Sequence, residues 1–178
     1  MKSPAFKERV VRAAKPEWAY APSSGEGAAR HGGRFNPKGV EALYTSLDFD
    51  TCAKEVRFAL NTDPFTFWHL EVESDLVLDL SAQSVRKQHG VAWPDLNCPN
   101  WESEMNKGIE PACHRLANRL IQSGCHGILV PSFANGARRD ALNLVLWDWH
   151  TPDSKNKTGA RVTVLSEGLL PRDQSSWA

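Results

Sequence analysis

The chain has no excess of either charge: 21 Lys and Arg face 21 Asp and Glu, a formal net charge of zero at pH 7. That balance weighs against a broad electrostatic grip on nucleic acid or on an anionic membrane, and directs any bound anion toward a local pocket. Long apolar runs are missing too, and no segment approaches the length that spans a bilayer. The opening MKSPAFKERVVRAAKPEWAY lacks the uninterrupted apolar core of a secretion signal. The expectation is a cytoplasmic protein with neither a membrane nor a direct nucleic-acid partner. Cysteine is scarce: Cys52, Cys98, Cys113 and Cys125 form no C-x-x-C pair, which in a reducing compartment reads as buried or half-buried thiols. Cys113-His114 and Cys125-His126 are neighbours that point in different directions, and no spaced ligand pairs accompany them, so no metal is expected. Internal repeats and long low-complexity linkers are also lacking, and residues 1–178 are expected to form one domain. Neither G-x-G-x-x-G nor G-x-x-x-x-G-K-[ST] occurs, which excludes the familiar phosphate-binding loops.

What the chain does have is a dense run, GEGAARHGGRFNPKG (residues 25–39), holding five of its 12 glycines, two arginines, a histidine and a lysine. Glycine permits unusual dihedrals and close backbone approach, and Arg34 offers a planar fork that suits a diphosphate. Taken alone, the stretch fits a surface loop of solvated arginines equally well. Arg30 and His31 read as bystanders.

Around this loop the patterns are ordinary. Strands are expected near Arg9–Arg12, Glu41–Thr45, Phe65–Val72, Leu76–Leu80, Gly127–Ser132, Leu142–Trp147 and Arg161–Leu165. Asp48 can cap a helix over about residues 49–60, with Phe49, Cys52, Ala53, Val56 and Ala59 on its apolar stripe and Asp63-Pro64 as the break. Pro111 opens a second helix running to Ser123, closed by Gly124. The polar stretch from Ser81 to Gly108 is expected to be helical in part. Only two helices are secure, and the order favours an α+β fold with mixed or antiparallel sheets over a regular βαβ repeat.

Tyr44 follows Arg34 by ten residues, on the strand leaving the loop, and Glu55 follows Tyr44 by eleven, beside the apolar face of the helix. A helix glutamate is usually solvated. With Arg34 as anion clamp and Tyr44 as aromatic platform, however, Glu55 supplies the carboxylate of a set suited to cleaving an N-glycosidic bond in a dinucleotide. A carboxylate aimed at positive charge developing on the ribose contributes about 10²–10³ in rate. Ser132 ends a buried strand. No G-x-S-x-G surrounds it, so it reads as a ligand-binding hydroxyl, not a nucleophile. Trp68, Trp93, Trp101, Trp147 and Trp149 read as core or interface rather than stacking platforms.

The strings GEGAARHGGRFNPKG, LYTS, the glutamate of CAKEV, and LVPS followed by LNLVLW together resemble the RES-domain family, named for arginine, glutamate and serine. They run from about Gly25 to Trp147, most of the chain. Phe35 stands where tryptophan is usual, and Phe133-Ala134-Asn135-Gly136-Ala137-Arg138-Arg139 is less typical. The resemblance implies an ADP-ribosyltransferase-like α+β fold with flanking helices. It implies a toxin of a bacterial type II toxin–antitoxin pair that consumes NAD, with water or phosphate as acceptor, or that transfers ADP-ribose to a protein such as a nucleotide-biosynthesis enzyme. The implied partner is a small helix-turn-helix antitoxin whose C-terminal segment occludes the active site. By the same resemblance, Arg34, Tyr44 and Glu55 are the catalytic positions. Arg12, Arg34, Tyr44, Ser46 (closing the Y-x-S string) and Ser132 are the nucleotide contacts, and no metal takes part. The segment from Ser81 to Gly108 is a candidate docking surface for a protein acceptor. A non-catalytic nucleotide-binding module is the remaining alternative.

Overall fold

Alternation of side chains along the strands organises the fold. The computed structural model describes residues 6–56 and 64–165, together with Gly168, Asp173 and Ser175. Its strands are β1 (Phe6–Ala14), β2 (Leu43–Ser46), β3 (Thr66–Ser74), β4 (Val77–Asp79), β5 (Gly127–Pro131), β6 (Leu142–Leu146), β7 (Trp149–His150) and β8 (Ala160–Val164). They join in one sheet of order β4-β5-β6-β2-β1-β3-β8-β7. The β4–β5 and β7–β8 pairs are parallel and the others antiparallel, so the expected mixed α+β architecture is what the chain adopts.

In β5 and β6 both faces are covered. Ile128, Val130 and Val145 join one apolar cluster, while Leu129, Leu144 and Leu146 join another. The period-2 geometry of a strand sends successive residues to opposite faces, which is why these segments read as unbroken apolar runs. The first cluster is roofed by Leu96, Cys113, Leu116 and Leu120. The second joins Leu43, Leu129 and Leu144 to Val10, Leu70, Val72 and Val162, so the two halves of the sheet fold toward one another and bury this face between them. Each fully buried Leu or Val here contributes about 1.5–3 kcal/mol. The halves meet at a narrow seam: β1 and β2 pair only at Val11 and Ser46.

The helices are α1 (Glu26–His31), α2 (Phe49–Val56), α3 (Gln83–Gln88), α4 (Trp93–Leu96), α5 (Trp101–Asn106) and α6 (Ala112–Gln122). Asp48 caps α2 as expected, accepting from the Thr51 amide at 2.9 Å and the Thr51 hydroxyl at 2.8 Å. The expected continuation to residue 60, with Ala59, and the Asp63 half of the break lie outside the described residues. Phe49 departs from the expected stripe. It is 54% exposed, at the first position of α2, and its ring lies 4.7 Å from that of Phe67 on β3. In α6, Cys113, Leu116, Ala117 and Leu120 form the buried stripe, and Gly124 takes φ 80° just beyond its end.

The stretch from Ser81 to Gly108, expected to be helical in part, carries three short helices, while α1, which was not expected, lies inside the glycine run itself. The two-residue β7 was not expected either. Trp93, expected as core or interface, is 47% exposed.

Candidate active site

A cleft of about 720 Å³ opens beside the seam of the sheet. Its lining gathers Arg12, Arg34, Tyr44 and Glu55, four of the residues singled out from sequence.

One wall is the glycine-rich segment. Its conformation is held by Asn36, which is completely buried. The Asn36 amide donates to the carbonyls of Ala28 at 2.9 Å, Pro37 at 3.2 Å and Val40 at 2.9 Å, and its Oδ1 accepts from the Tyr44 hydroxyl at 2.8 Å. The Tyr44 hydroxyl in turn accepts from the Phe35 amide at 2.9 Å. Buried and doubly bonded, it has a pKa pushed well above the ordinary tyrosine value, chiefly by burial. It therefore exchanges no proton near neutrality, and its ring is what it offers the cleft. Only glycine fits at position 33, since an added Cβ would lie 2.5 Å from the Tyr44 hydroxyl. From behind, buried His114 donates through Nε2 to the Gly33 carbonyl at 2.8 Å, and Trp147 donates to Phe35 O at 2.8 Å. The adjacent Cys113-His114 pair thus belongs to the support of this wall.

The two arginines sit differently. Arg34 donates to Cys98 O at 2.8 Å, and its guanidinium carbon lies 4.7 Å from the centre of the Phe133 ring. Arg12 donates to Ser24 O at 2.6 Å, while its other terminal nitrogen is buried with no partner among the described residues. Burial lowers its pKa to about 10, so it stays charged at neutral pH. A buried, under-bonded cation is costly until an anion reaches it.

Glu55, on α2, terminates a polar chain. Its Oε1 accepts from Ser132 Oγ at 2.6 Å and from Asn143 Nδ2 at 2.5 Å. Asn143 Oδ1 accepts from Ser46 Oγ at 2.7 Å. Ser132, expected as a ligand contact, is placed against the carboxylate. Ser46, expected in the same role, is only 3% exposed and does not line the cleft; its hydroxyl is engaged by Asn143 because α2 packs over it. Cys52, close by on α2, has its thiol pushed up to about 11 by burial.

The remaining wall comes from the region of α4 and α5, through Asn97, Pro99, Trp101 and Glu102. Trp101, expected as core or interface, packs against the first apolar cluster and also lines the cleft. Arg30 is exposed and paired with Glu26, and His31 is exposed, both outside the lining. Sequence reasoning missed Asn36 and Asn143. The signal for Asn143 was a polar residue inside the apolar run LNLVLW, where a buried amide needs a partner.

Among the described residues no group of three or more His, Cys, Asp or Glu side chains could hold a metal ion, and no helix is long and apolar enough to cross a membrane. The family model of the RES domain matches residues 9–164. Among solved structures, the chain is similar to a chain in the crystal structure of the M. tuberculosis MbcT–MbcA toxin–antitoxin complex. The identity is 22% and the TM-score 0.62, covering 92% of this chain and 87% of that one, a likeness of fold. No curated protein sequence matches the chain.

Proposed function

The chain belongs to the RES-domain family, and from that premise we propose that it is a toxin of a toxin–antitoxin pair that cleaves the nicotinamide–ribose bond of NAD. The observation that carries this reading is the Glu55 carboxylate, held through one oxygen by Ser132 and Asn143 in a cleft that also holds Arg12 and Arg34. Oε2 of Glu55 has no protein donor among the described residues, so it can accept from ribose hydroxyls. As the carbon–nitrogen bond breaks, nicotinamide leaves with the bonding electron pair and the ribose becomes an oxocarbenium ion. A fixed carboxylate stabilises that cation without reorganising. Arg12 supplies the partnerless N–H that a diphosphate oxygen satisfies, and Arg34 a second cation. The Tyr44 ring, its hydroxyl tied behind it, serves as the platform for nicotinamide. Ser132 orients Glu55, which replaces the direct nucleotide contact expected of it.

The reaction ends with attack on the ribose by water or phosphate, or by a protein side chain. The similar fold in a toxin–antitoxin complex supports an antitoxin partner, and on this reading that partner occludes the cleft. The test is incubation of the purified protein with NAD, with and without phosphate and cell lysate, measuring nicotinamide, free ADP-ribose and protein-bound label. Free nicotinamide without lysate is expected. Label on one lysate protein would move the reading to mono-ADP-ribosyl transfer, and tight binding with no product in any arm would overturn cleavage.

A further inference from the structure

Resting on the reading of Glu55 as the working carboxylate, we infer that Asn143 is a positioning residue for it, and that Ser46 sets the orientation of the Asn143 amide. Glu55 is carried on a short helix, whereas its partners are carried on the sheet. Asn143 is bracketed by neighbours on both sides, opposite Ser46 in the β2–β6 ladder and opposite Val130 in the β5–β6 ladder. It is therefore fixed by two ladders at once. Ser132, just past β5, is held by its own amide donating to Ala141 O at 2.8 Å.

An asparagine amide can present either its oxygen or its nitrogen. Were the oxygen turned toward Glu55, it would repel the carboxylate, which is acceptor-only; with the nitrogen there, Oδ1 is left for the Ser46 hydroxyl to anchor. The arrangement with Ser46 Oγ donating to Oδ1 and Nδ2 donating to Oε1 satisfies every group in the line. Because Ser132 and Asn143 both bond Oε1, the pair fixes the plane of the carboxylate and presents Oε2 to the cleft. Neither donor needs to touch the substrate. A tie serving only to hold α2 against the sheet would have the same distances, but it would act on stability and binding rather than on turnover.

The test measures kcat and KM for NAD, and the thermal midpoint, in Asn143→Ala, Asn143→Asp, Ser46→Ala and the Ser46→Ala/Asn143→Ala double variant. Asn143→Ala is expected to lower kcat on the order of 10–100-fold, by analogy with groups that hydrogen-bond a metal ligand from behind, with KM held within about threefold. The near-isosteric Asn143→Asp loses the donor and sets a second carboxylate against Glu55, so it falls at least as far even where Asn143→Ala folds poorly. Ser46→Ala is expected to lower kcat about fivefold, and to add nothing once Asn143 is Ala. If the folded Asn143 variants keep wild-type kcat, or if KM rises and the thermal midpoint falls with kcat unchanged, the inference is overturned while NAD cleavage stands. If Ser46→Ala costs the same in both backgrounds, its action through Asn143 is overturned. If the wild-type chain releases no nicotinamide, the underlying reading fails and the inference falls with it.

Discussion

The glycine-rich wall and the carboxylate end line the same cleft, but their hydrogen bonds terminate differently. In the wall, side-chain N–H groups of Asn36, His114, Trp147, Arg34 and Arg12 donate to backbone carbonyls, at Ala28, Gly33, Phe35, Cys98 and Ser24 among others. These bonds fix the path of the chain. At the carboxylate end, side chains bond side chains: Ser132 and Asn143 donate to one oxygen of Glu55, and Ser46 donates to Asn143 behind it. Those bonds fix the direction of one charged group. The wall is thus an element of stability that happens to hold two cations. On the proposed reading, the carboxylate end is the element of chemistry.

The largest effect that would separate the two is Glu55→Gln. Turnover of NAD is expected to fall about 10²–10³-fold, with the thermal midpoint nearly unchanged. A variant that kept its turnover would remove the distinction altogether. Next is Asn36→Ala, which strands three carbonyls and the Tyr44 hydroxyl in a site with no solvent exposure. Unsatisfied buried groups cost about 1–3 kcal/mol each before relaxation, so a loss of about 3 kcal/mol is expected. That amounts to a midpoint lowered by roughly 6–12 °C. The loss should show in the midpoint more than in kcat of the folded protein. The reverse pattern would mean that the wall takes part in chemistry directly.

The wall was the more legible half in the sequence. Glycine, Arg34 and Tyr44 lie close together there, and the need for glycine at position 33 is local. Its buried organiser, Asn36, was hidden only because an asparagine before proline reads as a turn. The carboxylate end draws on α2, β2, β6 and the residue after β5, and nothing in the spacing of Ser46, Glu55, Ser132 and Asn143 says that they meet. Ser46 illustrates the difficulty. Its position two residues from Tyr44 puts it on the same strand face, yet whether that face meets ligand or helix is a tertiary fact. β3 was readable from alternation, β5 and β6 from their apolar runs, and α6 from its stripe and its glycine. The six-residue α1, with a glycine in its second position, and the two-residue β7 are too short to carry a period of their own.

A smaller effect sharpens the comparison within the wall. Gly33→Ala puts a methyl group 2.5 Å from the Tyr44 hydroxyl and 2.7 Å from Asn36 Oδ1, both held by other bonds. A cost of about 2 kcal/mol is expected, read as a lowered midpoint. Gly27→Ala, also in the glycine run, meets nothing within 4 Å and sits in α1, so it should be neutral or stabilising by up to about 1 kcal/mol. Equal losses at both positions would show that the run is sensitive as a whole, and that the Tyr44–Asn36 contact has no special standing.

The smallest effect probes how tightly the carboxylate end is closed. Cys52, one turn before Glu55 on α2, is 4% exposed, and burial raises its thiol from 9.0 to about 11. The folded state therefore keeps a proton that the unfolded chain releases from pH 9 upward. The resulting stability is complete below pH 9 and is lost as pH rises toward 11. By pH 10 the loss is about 1 kcal/mol. Arg12 acts in the opposite sense. Its folded pKa is lowered to about 10, so above that pH the unfolded chain binds the extra proton and stability rises. The two are separated by comparing denaturant midpoints of wild type and Cys52→Ala between pH 8 and pH 10, where the wild type should fall more steeply. The buried thiol of Cys113, in the cluster with Phe35, is likewise raised by burial, and Cys113→Ala should flatten the profile in the same sense. If Cys52→Ala leaves the slope unchanged while Cys113→Ala flattens it, water reaches the carboxylate end in the native state and only the wall is closed.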